Sequence, residues 1–298
     1  MNGNGHIPVL LDEVMAYLDV KRKGMYVDCT FGLGGHSLEI LKRNPEASIL
    51  GFDIDEQILL KAKDKFRPYA ERIQLYHSDF RYLPDLNFDF SQIKGMLLDL
   101  GVSSYHLDSP ERGFSFNKDG PLDMRMDLRN KTTAAKIINK YSEKRLAHIF
   151  HQFGELRQAR KLAHHIVSQR KNQKIKTTTQ LRKLTEKVCR WRPQKGKTHP
   201  AAKVFQALRI EVNQELKSLS GFFEKITHKI SPQARLVAIS FHSLEDRIVK
   251  KTFSQMASSQ NNHPLLKILT KKPLTPSPQE IASNFRARSA KLRAAERI

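Results

Sequence analysis

Short apolar runs alternate with amphipathic segments in the first hundred residues of the chain. Four of these runs have the length and composition of buried strands, at 26–31, 48–55, 73–77 and 95–101. Apolar residues at helical spacing predict helices near 36–41 and 56–66. Strands and helices that alternate in this way predict right-handed βαβ units, and therefore one sheet covered by helices.

This alternation stops in the middle of the chain. From 111 to 215 the pattern becomes helical and basic, and it is interrupted by turn signals. The sheet pattern returns at 234–242, where an apolar run predicts a fifth strand. We therefore expect an α/β core made of residues 1–110 and 216–298, with a helical domain, 111–215, inserted into it.

The last sixty residues of the chain carry weaker signals. A helix is predicted at 245–256, and two short runs at 265–269 and 289–294 predict a closing pair of strands. Prolines at positions 273, 276 and 278 mark the segment between these two strands as a loop, because proline interrupts both helices and strands.

A glycine-rich turn follows the first predicted strand. Gly32, Gly34 and Gly35 allow the backbone to turn sharply and to approach a ligand without a Cβ atom in the way. Asp53 ends the next strand about twenty residues later, where an acid can accept hydrogen bonds from ribose hydroxyls. This spacing suits any adenosine cofactor and leaves NAD and S-adenosylmethionine as alternatives.

Acidic residues lie near the ends of four successive predicted strands, as Asp28, Asp53, Asp79 and Asp99. Because the carboxyl ends of parallel strands meet at one edge of a sheet, these acids should share the ligand side. A buried acid that caps the next helix is the simpler explanation of Asp99. The coincidence of four acids favours instead a place where substrate meets cofactor.

The chain carries a large positive charge that is concentrated in the predicted insertion. It has 298 residues with 52 Lys and Arg against 30 Asp and Glu, a formal net charge of +22. The segment 111–215 holds 25 basic residues against 9 acids, which is +16 of that charge. Because acids that would neutralise a solvated helical surface are scarce there, we expect a polyanionic partner, with nucleic acid the leading candidate. The basic loop 195–199 is a candidate for phosphate contact.

Two cysteines, Cys29 and Cys189, are too few for a disulfide framework or a cysteine zinc site. The N-terminus lacks a basic region followed by an apolar run, and no apolar stretch approaches the length of a membrane span. We therefore expect a cytoplasmic protein that does not enter a membrane.

Seven sequence blocks carry a resemblance to a known family. They are HIPVLLDE at 6–13, DCTFGLGGHS at 28–37, LLDLGVSS at 97–104, ERGFSF at 111–116, GPLDMRMD at 120–127, FQALRI at 205–210 and SFHSLEDR at 240–247. Together they closely resemble the ribosomal RNA small subunit methyltransferase H family, also called RsmH or MraW, nearly from end to end. This resemblance favours S-adenosylmethionine over NAD.

The resemblance implies a fold, a reaction and a set of cofactor contacts. The fold is a Rossmann-like class I S-adenosylmethionine-dependent methyltransferase core with a helical insertion. The reaction is methylation of N4 of a cytidine in the decoding centre of 16S rRNA, within the 30S ribosomal subunit. The family's cofactor contacts fall on Gly34, Gly35, His36, Asp53, Phe80, Asp99 and His106. At the last of these positions the family commonly has Gln, and His106 can likewise hydrogen-bond to a ligand.

Methyl transfer to cytosine N4 makes specific demands on a catalytic site. The nitrogen lone pair is delocalised into the ring, so positioning and an acceptor for the amine hydrogens should dominate catalysis. We hypothesise that Asp99, together with Ser103 or Ser104, supplies this acceptor near the amine. Direct in-line transfer of this kind needs no metal.

Two other classes of function remain as alternatives. A non-catalytic RNA-binding factor that keeps an old cofactor fold is disfavoured by the intact glycine turn, Asp53 and Asp99. An NAD-dependent oxidoreductase is disfavoured because His36 and Ser37 occupy the place where the third glycine of G-x-G-x-x-G would be expected.

Overall fold

A computed structural model describes residues 8–194, 196–258 and 263–298 of the chain. Two residues that the sequence singled out lie outside this described part. They are His6, which begins the first sequence block, and Lys195, which begins the basic loop predicted to contact phosphate.

The chain forms two compact units, and the second interrupts the first in sequence. The first comprises Met1–Gly101 together with Ser218–Ile298, and the second comprises Val102–Lys217. The predicted insertion, 111–215, falls inside the second unit. The first unit is thus built from two separate stretches of chain.

A single sheet organises the first unit. In the described residues its strands are β1 (Gly24–Asp28), β2 (Ala47–Asp53), β3 (Ile73–His77), β4 (Ile93–Asp99), β5 (Arg235–Ser240), β6 (Leu266–Ile268) and β7 (Lys291–Arg297). Their spatial order is β3-β2-β1-β4-β5-β7-β6. Strands β1 to β5 are mutually parallel, whereas β7 runs antiparallel to both β5 and β6. The prediction of a Rossmann-like α/β core is confirmed by this arrangement.

Helices connect the strands of the first unit and make up most of the second. In chain order the described helices are α1 (Leu11–Leu18), α2 (Gly35–Arg43), α3 (Glu56–Lys63), α4 (Ser104–Asp108), α5 (Ala134–Lys140), α6 (Glu143–Gln152), α7 (Ala159–Asn172), α8 (Thr178–Cys189), α9 (Pro200–Asn213), α10 (Leu219–Thr227), α11 (Ser243–Met256) and α12 (Pro278–Ser283). Short 3₁₀ helices occur at Asp64–Arg72, Phe80–Asp85, Phe90–Gln92, Pro110–Arg112 and Phe285–Ser289. None of the helices described is both long and apolar enough to cross a membrane.

Side chains alternate between the two faces of the sheet, and each face has its own apolar core. Val27 and Leu98 belong to the core that includes α10 and α11, whereas Tyr26 and Leu97 belong to the core that includes α1 and α2. Each fully buried Leu or Phe contributes about 1.5–3 kcal/mol to folding. Burial on both faces explains why the central parallel strands β2, β4 and β5 read as nearly continuous apolar runs.

Several elements of the first unit differ from their sequence predictions; β4, for example, begins and ends two residues before the predicted 95–101. Strand β1 ends at Asp28, three residues before the predicted end, and β7 begins two residues late and continues to Arg297. The segment predicted as a loop by its prolines contains α12, which starts at Pro278. Proline is tolerated at the first position of a helix, and the side chain of Ser277 caps this helix by accepting from the N–H of Glu280 at 3.1 Å.

The second unit is a helical assembly in which α9 packs against α5, α6 and α8. Helix α8 begins with a capping box, in which Thr177 and Gln180 each accept from the other's backbone N–H. It ends with Arg190 in the left-handed conformation, at φ 49°. These signals at both ends fix the limits of α8.

Candidate functional site

The carboxyl ends of the central parallel strands form the candidate site. Strand β1 lies between β2 and β4, so Asp28, Asp53 and Asp99 end three neighbouring strands at one edge of the sheet. The chain leaves β1 towards β2 on one side, while β4 lies on the other. Such a switch in strand order creates the crevice in which open α/β sheets bind ligands.

The glycine turn after β1 needs glycine for its own geometry. Gly34 has a φ of +68° and precedes α2, and a Cβ atom there would lie 2.5 Å from the rings of Phe31 and Phe66. At Gly35 a Cβ atom would lie 2.6 Å from the side chain of Pro8. With glycine as its N-cap residue, α2 has no side-chain cap for its first-turn N–H groups. N–H groups without a side-chain cap at a helix N-terminus favour binding of an anion such as a carboxylate.

Asp53 holds the glycine turn against the end of β2. Its Oδ2 atom accepts from the N–H of Gly32 at 2.7 Å, and its Oδ1 atom accepts from the N–H of Asp55 at 2.9 Å. The acid that sequence spacing related to the glycines therefore contacts the turn directly. The glycine turn and the acid at the end of β2, the two features expected of an adenosine site, are therefore joined by a hydrogen bond.

Phe80 offers an aromatic side chain at the carboxyl end of β3. It begins a 3₁₀ helix that Asp79 caps by accepting from the N–H of Arg81. Asp79 also forms an ion pair with the side chain of Arg81. The half-buried ring of Phe80 packs edge to face on Phe222, with 4.9 Å between centroids. An aromatic ring fixed in this way can pack against a planar base.

The pKa of the Asp99 carboxyl is raised further than that of the neighbouring Asp28 carboxyl. Its side chain is 27% exposed as a whole, but its Oδ1 atom is buried and has no hydrogen-bond partner among the described residues. Burial raises the pKa of the Asp99 carboxyl from 3.8 to about 8, and the negative charges of Asp28 and Glu245 add to the shift. A buried polar atom without a partner calls for an explanation, and a ligand supplies one.

Asp28 anchors a hydrogen-bond network beneath the turn. Its carboxylate accepts from the Ser37 hydroxyl at 2.6 Å and from the N–H of Thr30 at 3.2 Å. Burial raises the pKa of the Asp28 carboxyl to about 6, although both hydrogen bonds act in the opposite direction. The N–H of Asp99 in turn donates to the Thr30 hydroxyl at 2.6 Å.

The structure buries His36, which the family resemblance made a cofactor contact. Only 5% of the residue is exposed, and its Nε2 atom lies 2.9 Å from the carbonyl of Val9. Because a carbonyl only accepts, Nε2 carries the ring hydrogen and donates it. The Nδ1 atom lies 3.8 Å from Oδ2 of Asp99. A role for His36 as a cofactor contact stays a prediction.

Ser103, Ser104 and His106 belong to the second unit. Ser103 caps α4 by accepting from the N–H of His106 at 3.4 Å, and its hydroxyl lies 3.3 Å from Nδ1 of the same residue. His106 is 4% exposed, and its ring lies 4.7 Å from that of Phe114. Ser103 therefore has a structural role at the start of α4, and the proposed chemistry of all three residues stays a prediction.

Sequence reasoning missed the roles of three side chains near Asp28 and Asp99. Thr30 was not singled out, and Ser37 was noted only because it occupies, with His36, the place of a third glycine. Glu245, 2% exposed in α11, accepts from the N–H of Phe241 at 2.9 Å. The signal available was a hydroxyl or acid adjacent to each predicted strand end, but strand periodicity does not reveal which side chains meet.

Comparison with known proteins identifies the family. The MraW methylase family matches residues 3–298. The chain is 47% identical to the ribosomal RNA small subunit methyltransferase H of Cyanothece sp., covering 98% of this chain and 95% of that protein. It is 44% identical to the protein of the same name from Carboxydothermus hydrogenoformans, covering 98% of each.

A weaker structural match is to the crystal structure of a putative methyltransferase from Streptococcus mutans in complex with SAH. It aligns over 98% of this chain and 100% of that chain, at 12% identity and a TM-score of 0.45. The family is assigned from the closer sequence relatives and from the family match alone. The chain belongs to the MraW methylase family, and the expectation of an S-adenosylmethionine-dependent methyltransferase is confirmed.

Proposed function

We propose that the chain methylates N4 of a cytidine in the decoding centre of 16S rRNA, in the small ribosomal subunit. Support for an rRNA substrate comes from relatives named ribosomal RNA small subunit methyltransferase H, and from the formal charge of +22. The choice of N4 of cytidine rests on the family resemblance of the sequence blocks. We place this reaction in the cytoplasm, where bacterial ribosomal RNA resides.

The residues at the sheet edge fit S-adenosylmethionine. The first-turn N–H groups of α2 suit the carboxylate of its methionine part, and Gly34 and Gly35 keep this approach free of side chains. Asp53 is the proposed partner of the ribose, and Phe80 of the adenine ring. When bound, the cofactor supplies an electrophilic methyl group.

Asp99 is the proposed acceptor for the target amine. As N4 gains the methyl group it loses one hydrogen as a proton, and the Asp99 carboxylate receives it. Asp99 must be ionised for this role. Ser103 and Ser104 remain candidates for further hydrogen bonds to the base. In this scheme the chain's own residues bind, orient and accept a proton, and no metal is required.

The observation that carries the proposed role of Asp99 is its buried Oδ1 atom, which lacks a partner among the described residues at the end of β4. The test is methyl transfer from labelled S-adenosylmethionine into 30S subunits and into naked 16S rRNA, followed by mapping of the modified nucleotide. We expect label on N4 of one cytidine. Label on another atom, or in neither substrate, would overturn the proposal.

A further inference from the structure

A cavity of about 520 Å³ lies in the second unit beside the C-terminal half of α8. Its lining is formed by Lys183, Glu186, Lys187, Arg190, Trp191 and Arg192. This volume is in the range of sites that hold small organic ligands. The lining combines cations with one aromatic ring, which is the composition expected of a surface that holds single-stranded nucleic acid.

The positive charges of this cavity outnumber the acids that line it in the described part of the chain. Lys183, Lys187, Arg190 and Arg192 form no ion pair within the described ranges. Among the described lining residues the one acid is Glu186, and that carboxylate lies 3.1 Å from Nε2 of His199 and 3.7 Å from Nε of Arg182. The cavity therefore has a surplus of positive charge that an anion would offset.

Attraction to the helix dipole is the simpler explanation of cations near the end of α8. It applies to Lys187 and Arg190, which lie in or just after the last turn. It does not apply to Lys183, which lies more than a turn earlier, or to Arg192, which lies beyond the helix. Lys183 and Lys187 are also four residues apart on one face, where like charges repel.

The aromatic ring is fixed in place by its neighbours. Trp191 is half-buried, and its ring lies 5.0 Å from the ring of His199 in an edge-to-face arrangement. The Nδ1 atom of His199 accepts from the N–H of Ala201, so its Nε2 atom carries the hydrogen and donates to Glu186. His199 also stacks on Phe116, with 5.1 Å between centroids. Trp191 is thus oriented before any ligand arrives, which lowers the entropic cost of binding.

The turn after α8 adds two features that favour an anionic, planar ligand. Arg190 adopts the left-handed conformation, and the N–H groups of Arg190 and Trp191 donate to the carbonyls of Lys187 and Glu186. These bonds cover carbonyls that would otherwise repel an anion. The indole N–H of Trp191 has no hydrogen-bond partner in the part of the chain that the structure describes.

We propose that this cavity binds an unpaired nucleotide of RNA, with its base stacked on Trp191 and its phosphates held by the surrounding lysines and arginines. The inference rests on the proposed RNA substrate and deepens it by naming a surface that grips the substrate. Stacking on an aromatic side chain tolerates any base, so the surface supplies affinity and leaves the choice of target to the methylation site.

Trp191 is the single tryptophan of the chain, so its fluorescence reports on this cavity alone. The full chain is titrated with a ten-nucleotide oligouridylate and with an abasic ribose-phosphate oligomer of the same length. We expect oligouridylate to quench the fluorescence with the same Kd that anisotropy of labelled RNA gives. We expect the abasic oligomer to bind with little quenching. No quenching at saturating oligouridylate, or equal quenching by the abasic oligomer, would overturn the proposal.

Substitutions distinguish the contribution of base stacking to RNA binding from that of the positive charges. Trp191→Ala should weaken oligouridylate binding by about 5- to 140-fold, whereas Trp191→Phe should stay within a few-fold of wild type, because phenylalanine preserves a stacking face. The double variant Lys183→Gln/Lys187→Gln should reduce the slope of log Kd against log salt by about 1.4. The matched control is Lys271→Gln/Lys272→Gln, which loses the same charge from the first unit and should keep the wild-type slope.

The folding of each variant is checked by circular dichroism. The Phe variant and the lysine pair keep the test decisive if Trp191→Ala does not fold. Methyl transfer into 30S subunits is measured in parallel with wild-type protein. Wild-type methyl transfer together with unchanged RNA binding in Trp191→Ala would sink this inference alone. Fluorescence quenching without any methyl transfer would instead sink the proposed function.

Discussion

The main-chain N–H of Asp99 donates a 2.6 Å hydrogen bond to the hydroxyl of Thr30. This bond joins the last residue of β4 to the turn that follows the neighbouring strand β1. Asp99 is therefore held from its backbone at the edge where the candidate site lies. The position of its carboxyl depends on a side chain that belongs to the glycine turn.

Thr30→Val removes this hydroxyl at nearly constant volume. We expect it to lower the free energy of unfolding by about 1–3 kcal/mol, because the N–H of Asp99 loses its acceptor. We also expect slower methyl transfer, since Asp99 loses a positioning contact. Thr30→Ser keeps the hydroxyl and is the matched control. Urea unfolding and single-turnover methylation measure the two effects, and a valine variant that matches the serine variant in both would contradict this role.

Asp99→Asn tests the proposed proton acceptor. An amide of the same shape has almost no basicity, so methyl transfer should fall by about 10²- to 10⁴-fold. Binding of RNA should change little, because the variant leaves the basic second unit intact. Labelled methyl transfer and RNA anisotropy measure the two quantities. Turnover at the wild-type rate would remove Asp99 from the mechanism.

The pH dependence of methyl transfer should report the ionisation of Asp99. The carboxyl must be ionised to accept a proton, and its pKa is raised to about 8. Under single-turnover conditions with limiting substrate, the rate should therefore rise as the pH approaches 8 and level off above it. An inflection near pH 6 would point to Asp28, whose pKa is raised to about 6.

The raised pKa of Asp99 also predicts how stability depends on pH. In the unfolded chain this carboxyl loses its proton near its ordinary pKa of 3.8, whereas the folded protein keeps the proton up to about pH 8. Between these values the folded state binds more protons, so stability falls as the pH rises through this window and is level above it. The free energy of unfolding, measured by urea at pH 5, 7 and 9, should fall more steeply for wild type than for Asp99→Asn. Parallel curves would contradict the shift.

Gly34→Ala should lower the free energy of unfolding, because it strains the turn that precedes α2. The left-handed backbone costs alanine about 1–2 kcal/mol, and the added Cβ atom, 2.5 Å from Phe31 and Phe66, costs about a further 1–3 kcal/mol. Gly221→Ala is the control, because this glycine lies inside α10 with no atom within 4 Å of the new Cβ. That substitution should raise stability by about 0.5–1 kcal/mol. Thermal unfolding compares the two, and equal effects would contradict the argument.

Sequence patterns predicted the sheet well because the central parallel strands β1, β2, β4 and β5 are buried on both faces, whereas the edge strand β3 alternates between half-buried and exposed residues. The convergence of Asp28, Asp53 and Asp99 followed from the same reasoning, since the ends of parallel strands share an edge. The bond between Thr30 and Asp99 joins residues 69 positions apart, and its formation depends on the register of β1 against β4. No local periodicity encodes that register.

Helix α12 and the cavity at Trp191 were not predicted from the sequence, for two different reasons. Three prolines suggested a loop, but Pro278 occupies the one helix position where its missing N–H costs nothing. The cations around Trp191 were visible in the sequence only as excess charge. Their common cavity depends on the turn at Arg190 and on packing of Trp191 against His199, the residue that caps α9.

The discontinuous first unit has a consequence for synthesis on the ribosome. Strand β4 leaves the ribosome about 135 residues before its partner β5, which is roughly 7–27 s at 5–20 residues per second. During that delay β4 is an apolar edge strand, which is prone to pair with other chains. The second unit is made in the interval and can fold before the first unit. The sheet is complete only when β7, the last strand translated, pairs with β5 and β6.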